Sequence, residues 1–382
     1  MSNFTVPKHI LIGKGALQEA KPYLKSYGKK ALIVTGKHVV KSDMMKELVE
    51  VLKQCDIQYE IFDGITGEPT DLMIWEGINT YKNTECEFCI GIGGGSPLDS
   101  AKAIAAMITN LGEIADYNGK LIENEIPPVV AIPTTAGTGS EATKFTIITD
   151  SKKDIKMLLK GDTLIPALAI VDYTFGLSAP ASITAATGLD ALTHAIEAYT
   201  SKKAFAMTDT LAISAVKRII KYLPIAFQNG KDEKAREELA LAALEAGICI
   251  NNSSVTLVHG MSRPIGALFH VPHGMSNAML LKECLTFAKD GVLDKFAILA
   301  RAVGVATEQD SDSLAANHFL QIVEQVCHVC EIPSLREYGI EKEAFFDKID
   351  KMAKDAVDSG SPSNTVKEVT VEDCKAIYKL VY

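Results

Sequence analysis

The feature that most constrains this chain is a change of periodicity near residue 180. Before it, short apolar runs alternate with helical stretches. Residues 31–35 (Ala-Leu-Ile-Val-Thr), 58–62, 87–92, 128–132 and 167–171 read as strands. Helical spacing links Met44, Leu48, Val51 and Leu52, and recurs over 72–80 and 97–108. Apolar strands separated by helices specify a parallel sheet covered on both faces. Residues 145–149 have strand composition without an adjoining helix and read as an antiparallel or edge strand. From 181 onward the strand signal stops. Helical patterns follow at 183–200, 208–222, 234–251, 292–303, 313–329, 342–358 and 371–380. The expectation is an α/β domain over 1–180 and an all-helical domain over 181–382, with a cleft between them as the default place for a ligand.

Composition narrows the function classes. At 47% hydrophobic residues the 382-residue chain can bury large cores, which excludes disorder as its main state. A net charge of −9 without a basic patch argues against nucleic acid as a partner. No apolar run approaches the ~18 residues of a membrane span. The opening Met1-Ser2-Asn3-Phe4 lacks the basic and apolar regions of a secretory signal. Eight cysteines are too few for a disulfide scaffold, so a reducing cytoplasm is expected. Cys86-x-x-Cys89 and Cys327-x-x-Cys330 have metal or redox spacing. Their surroundings, a strand and a helix, favour ordinary buried thiols.

Two constellations carry chemistry. Gly91-Ile92-Gly93-Gly94-Gly95-Ser96-Pro97 follows a strand and opens a helix. Glycines let the backbone approach a phosphate, and free N–H groups at a helix start bind the anion. Ser96 is the expected N-cap, Pro97 the first helical residue, and Asp99 falls in the first turn. The G-x-G-x-x-G fingerprint is absent because Ser96 takes its last place, so a purely structural turn stays open. Residues 133–140, with Thr134, Thr135, Thr138 and two glycines, form a second loop after a strand that can line the same cofactor. The other constellation is Asp190 and His194, four apart on one helix face, followed by His259 and His273. One carboxylate and three neutral imidazoles suit Fe2+ or Zn2+. Taken singly, each of these residues also fits an ordinary helix pair or a core or surface histidine.

These segments together resemble the iron-containing, metal-dependent group III alcohol dehydrogenases over nearly the whole chain. Gly93-Gly94-Gly95-Ser96-Pro97-x-Asp99 is similar to that family's pyrophosphate loop, and 133–141 to its nicotinamide-side loop. The segments from Thr187 to Tyr199 and from Val258 through His273-Gly274 are similar to its two metal segments. The resemblance implies a dehydroquinate synthase-like architecture with an N-terminal dinucleotide-binding domain and a helical metal domain. It implies Asp190, His194, His259 and His273 as metal ligands. Gly36, Glu68, Gly93, Gly94, Gly95, Ser96, Asp99, Thr134, Thr135, Thr138 and Lys156 are the implied cofactor residues. The implied activity is hydride transfer between NAD(P) and a small alcohol or aldehyde. A homodimer or larger homo-oligomer is the expected assembly.

The chain departs from the family pattern at three places. Relatives often carry a second histidine four residues after the third ligand; here that position is Arg263, which cannot act as a base. His270 is the nearest titratable replacement. Gly36-Lys37 replaces the aspartate that often reads the adenosine ribose, which removes a repulsion against a 2′-phosphate. Glu68, where relatives often have asparagine, can hold the ribose hydroxyls and oppose NADP. NAD is favoured and NADP stays open. Ile250 stands where some relatives place phenylalanine, which alters the expected pocket. Rival readings are a dehydroquinate synthase-like enzyme of the same architecture and a catalytically dead scaffold.

Overall fold

The computed structural model describes residues 3–153 and 155–382. The chain divides into two compact units, Phe4–Ser178 and Ala179–Tyr382.

The first unit is built on eight strands: β1 His9–Ile12, β2 Lys30–Val34, β3 Gln58–Phe62, β4 Phe88–Gly93, β5 Val129–Pro133, β6 Phe145–Asp150, β7 Ile155–Lys160 and β8 Leu168–Val171. Its helices are the short α1 Ala16–Glu19, α2 Lys21–Leu24 and α3 Lys37–Val40, then α4 Asp43–Gln54, α5 Asp71–Asn83 and α6 Gly95–Thr109. Six strands form one parallel sheet in the order β1-β8-β5-β4-β2-β3. Both faces are buried, as the apolar runs require. On β2, Leu32 and Val34 pack with Cys89 and Ile104 on one side, and Ala31 and Ile33 with Ile90 and Leu48 on the other. The chain runs outward from β2 to β3, then returns past β2 and proceeds the other way through β4 and β5. The strand order therefore reverses between β2 and β4, and ligands of open α/β sheets bind at the carboxyl ends of such a pair. The glycine loop and Gly36 both lie at these ends. Thr35 Oγ1 donates to the Ile92 carbonyl at 2.8 Å and ties the two together.

The 145–149 run is half of a separate antiparallel hairpin, β6–β7. Two strands escaped the sequence reading. β1 has only four residues and is specified by its pairing with β8. β7 alternates, with Met157 and Leu159 buried and its lysines outward.

The second unit is helical, as expected: α7 Ala181–Thr200, α8 Ala206–Gln228, α9 Glu233–Asn252, α10 Leu257–Phe269, α11 His273–Ala288, α12 Leu293–Val303, α13 Asp312–Val329, α14 Lys342–Asp358 and α15 Val371–Val381. α7 is buried on every side from Gly188 to Thr200, packed among α8, α9 and α11. The sequence reading named no helix at α10 or α11. Pro264 inside α10, and Gly260, Gly266 and Gly274, mask the helical pattern there. No single described helix is long and apolar enough to cross a membrane. All eight cysteines are unpaired.

Candidate metal centre and glycine-loop cradle

In the helical unit, α7, α10 and α11 bring four donors together. Asp190 Oδ1 lies 3.8 Å from His194 Nε2, 3.6 Å from His259 Nε2 and 3.7 Å from His273 Nε2. One donor atom from each residue falls within 4.8 Å of all the others. Donors ~2.1 Å from a common ion in tetrahedral geometry are separated by about 3.4 Å. The residues present therefore fit a divalent cation in both chemistry and spacing. Gly274 makes this approach possible, because a Cβ there would meet the Ala186 carbonyl at 2.4 Å. Its absence lets α11 begin against α7 and sets His273, its first residue, beside Asp190. Asp190, His194 and His259 are buried, while the His273 side chain is 33% exposed and marks the open side of the centre.

The electrostatics favour positive charge among these nitrogens. Burial opposes ionisation of Asp190, but His194, His273 and His259 outweigh it and hold its carboxyl well below the usual range. Burial likewise opposes charge on His259, yet Glu197 and Asp190 raise its imidazole to about 9. A proton or a cation satisfies the same field.

Sequence reasoning assigned no role to Glu197, although it stands in the first metal segment. It lies on α7 at positions i, i+4 and i+7 with Asp190 and His194, so all three share one face. Its Oε2 sits 2.6 Å from His259 Nδ1, leaving His259 Nε2 for the donor cluster. It also accepts from Thr256 N at 3.0 Å, Thr256 Oγ1 at 2.8 Å and Val258 N at 2.6 Å. The two amides among these lie at the start of α10, where backbone N–H groups lack intrahelical partners. One carboxylate thus caps α10 and orients its histidine. Such partners are worth 10–100-fold in metal affinity. Glu197→Gln is accordingly expected to weaken cation binding by roughly that factor, read by chelator competition. An unchanged affinity would show that His259 needs no such orientation.

The other sequence candidates in this unit supply no donor to the cluster. His270 closes α10 in the left-handed conformation (φ 55) with its ring exposed. Arg263, one turn beyond His259, makes no ion pair or side-chain hydrogen bond with a described residue. Burial lowers its affinity for protons, while the charge of Glu197 opposes that shift. Ile250 is buried in α9.

In the first unit the two loops meet. Thr134 N donates to the Gly93 carbonyl at 2.8 Å. A Cβ on Gly95 would lie 2.7 Å from Thr138 Cγ2, and one on Gly94 would lie 3.6 Å from Thr135 Oγ1. Gly94, Gly95, Ser96, Thr134, Thr135 and Thr138 all remain partly accessible around the start of α6. Amides of this kind fit a nucleotide's phosphates.

Two expectations need correction. The N-cap is Gly94, not Ser96, and the helix begins at Gly95. Gly94 adopts the extended cap conformation, and Pro97 is still tolerated because first-turn amides need no intrahelical acceptor. Asp99, the fifth residue of α6, lies beyond the first turn. Its carboxylate accepts from Ser140 Oγ at 2.5 Å and Ile147 N at 2.9 Å, with Lys102 Nζ 3.9 Å away. It fastens the second loop and β6 to α6. The fully buried Lys102 reinforces this by donating to the Thr143 and Phe145 carbonyls and to Thr143 Oγ1. Burial brings its ammonium down to about 8 despite Asp99 and Glu141.

At the end of β2, Gly36 bridges Gly64, and a Cβ there would meet the Ile65 carbonyl at 2.9 Å. Glu68 is paired with Lys156, its two oxygens each 2.8 Å from Nζ.

A parallel sheet with a phosphate-type loop at its reversal point, joined to a helical unit with an Asp-His-His-His cluster buried at three of its four residues, defines a metal-dependent dinucleotide enzyme class. Comparison with known proteins gives the family. Residues 7–173 match the iron-containing alcohol dehydrogenase model, and 184–382 match the C-terminal model of the same family. The chain is 37% identical to the NAD-dependent methanol dehydrogenase of Bacillus methanolicus, with 99% of each chain covered. It superimposes on a crystal structure of 1,3-propanediol oxidoreductase with a TM-score of 0.97 at 32% identity, covering 100% of both chains. The sulfoacetaldehyde reductase of Bifidobacterium kashiwanohense, solved with NAD+, gives a TM-score of 0.89 at 28% identity, covering 100% of this chain and 98% of that one. The chain belongs to the iron-containing alcohol dehydrogenase family. It is an oxidoreductase acting on CH–OH donors, and the dehydroquinate synthase-like alternative is set aside.

Proposed function

We propose that this dehydrogenase uses Fe2+, with Zn2+ as the alternative cation, and NAD to interconvert a small alcohol and its aldehyde. The convergence of Asp190, His194, His259 and His273 carries this reading. A cation held there supplies Lewis-acid polarisation of the substrate oxygen, and a bound nicotinamide supplies the hydride chemistry. The chain's own residues orient and hold. Glu197 fixes the His259 ring, and the hydroxyl-rich loop at 134–138 lines the glycine cradle. Arg263 cannot take the alcohol proton, and the exposed ring of His270 is the titratable group nearest in sequence. The name of the Bacillus methanolicus relative supports NAD. With Gly36 unable to carry a side chain, selection at the ribose falls to Lys37 and the Glu68–Lys156 pair. Comparing kcat/KM for NADH and NADPH, with enzyme reloaded with Fe2+ or Zn2+, tests cofactor and cation together. A cytoplasmic homo-oligomer completes the proposal. The unpaired thiols suit a reducing compartment, and light scattering reads the assembly.

Arg263 favours a second reading in which the substrate carries an anion. A guanidinium without a described partner, one turn from a cation ligand, has its donor fork free for a carboxylate, sulfonate or phosphonate. The sulfoacetaldehyde reductase shows that a member of this fold acts on such an aldehyde. For Arg263→Met the expected loss in kcat/KM is about 1.5–3 kcal/mol for an anionic C2–C4 aldehyde, with little change for propanal. Equal losses for both substrates would assign Arg263 to cofactor or structural support.

A further inference from the structure

Asn277 lies on α11 one turn beyond His273 and is fully buried. Its Nδ2 donates to Asp190 Oδ1 at 2.7 Å, and lies 3.2 Å from His259 Nε2 and 3.3 Å from His273 Nε2. One amide nitrogen thus faces three of the four donors. Its Oδ1 is buried without a hydrogen-bond partner among the described residues. Buried amides normally satisfy both ends, so the nitrogen's contacts decide where this side chain sits.

The three contacts differ in what a cation does to them. A neutral imidazole has one lone pair, on the nitrogen without hydrogen, and it serves either an N–H donor or a cation. The contacts to His259 and His273 therefore give way when a cation binds. An ionised carboxylate oxygen has more than one lone-pair site, so Asp190 Oδ1 can accept from Asn277 and hold a cation at once. We infer that Asn277 is a positioning residue for the metal centre, its carboxamide N–H holding Asp190 so that Oδ1 is presented to the cation. Asn277 does for the carboxylate ligand what Glu197 does for the imidazole of His259. The inference rests on the metal site proposed above.

The test uses full-length enzyme stripped by chelation and titrated with Co2+, whose visible absorption reports ligand geometry. Asn277→Leu keeps the approximate shape and removes both polar ends. The expected result is a 10–100-fold weaker Co2+ dissociation constant and an altered Co2+ spectrum. The thermal midpoint of the stripped protein should fall as well, because the buried Asp190 Oδ1 loses its hydrogen-bond donor. A merely structural asparagine would lower the midpoint and leave the Co2+ affinity and spectrum unchanged, and that result would overturn the inference. A weak wild-type Co2+ absorption that intensifies in Asn277→Leu would also overturn it, by making Asn277 a direct ligand. Should leucine overpack the site, Asn277→Ala must show the same loss of affinity. His259→Ala separates the two levels of the argument. If it retains the cation, the metal site itself is wrong. If it loses the cation while Asn277→Leu binds like wild type, only the role of Asn277 falls.

Discussion

Replacing His259 or His273 by alanine is expected to remove the bound cation and lower kcat/KM by about 10³-fold or more. The cation supplies several kcal/mol of charge stabilisation, and each ~1.4 kcal/mol is a factor of ten. Each variant leaves three donors where four now lie within 4.8 Å. The two should part company in stability. His259 is buried and its Nδ1 faces Glu197 Oε2, which Thr256 N also serves, so its loss removes a charge-assisted hydrogen bond in the interior at a cost of about 1.5–3 kcal/mol. The side chain of His273 is one-third exposed, and its truncation should cost less. Metal analysis, steady-state rates and thermal melts read the three effects separately. Stoichiometric metal with a normal rate in either variant would sink the ligand assignment.

The second large effect concerns the glycine loop, whose three glycines are not equivalent. Gly93 sits at φ 148, and a Cβ there would meet Pro97 Cγ at 2.7 Å. Gly95 has Thr138 Cγ2 at the same distance. Substituting either disturbs the fold itself. Gly94 has φ −72, which any residue adopts, and its nearest obstacles are Thr135 Oγ1 at 3.6 Å and Cγ2 at 3.9 Å. The protein can accommodate a side chain there; a phosphate approaching the backbone cannot. Gly94→Val should therefore raise the NADH dissociation constant roughly 100-fold by blocking the amides. Its cost in stability should be about 1 kcal/mol, through the weaker N-cap. Unchanged dissociation constants for both NADH and NADPH would mean that this loop does not cradle phosphate.

Local pattern determined a good deal of this protein. Apolar strands such as 88–93 have no solvent face, so their composition alone demands a parallel sheet between helices. The donor types were equally plain, because Asp190 and His194 stand at helical spacing within a long regular helix. Distance in sequence hid other features. β1 is four residues long and owes its existence to β8, more than 150 positions away. α10 and α11 carry glycines and a proline that local propensity counts against helix, and burial against α7 overrides that preference. Asp99 read as a first-turn residue because Ser96 read as the cap, whereas the helix starts at Gly95. The partners of its carboxylate, Ser140 and Ile147, arrive from another loop and strand. The same holds for the groups that tune the metal centre. Glu197 and Asn277 are ordinary helical residues in the sequence. Only the packing of α7, α10 and α11 sets Glu197 2.6 Å from His259 and Asn277 2.7 Å from Asp190. A periodic pattern records which face of an element is buried, whereas the partner a buried polar atom meets depends on how separate elements pack, and that is settled only in three dimensions.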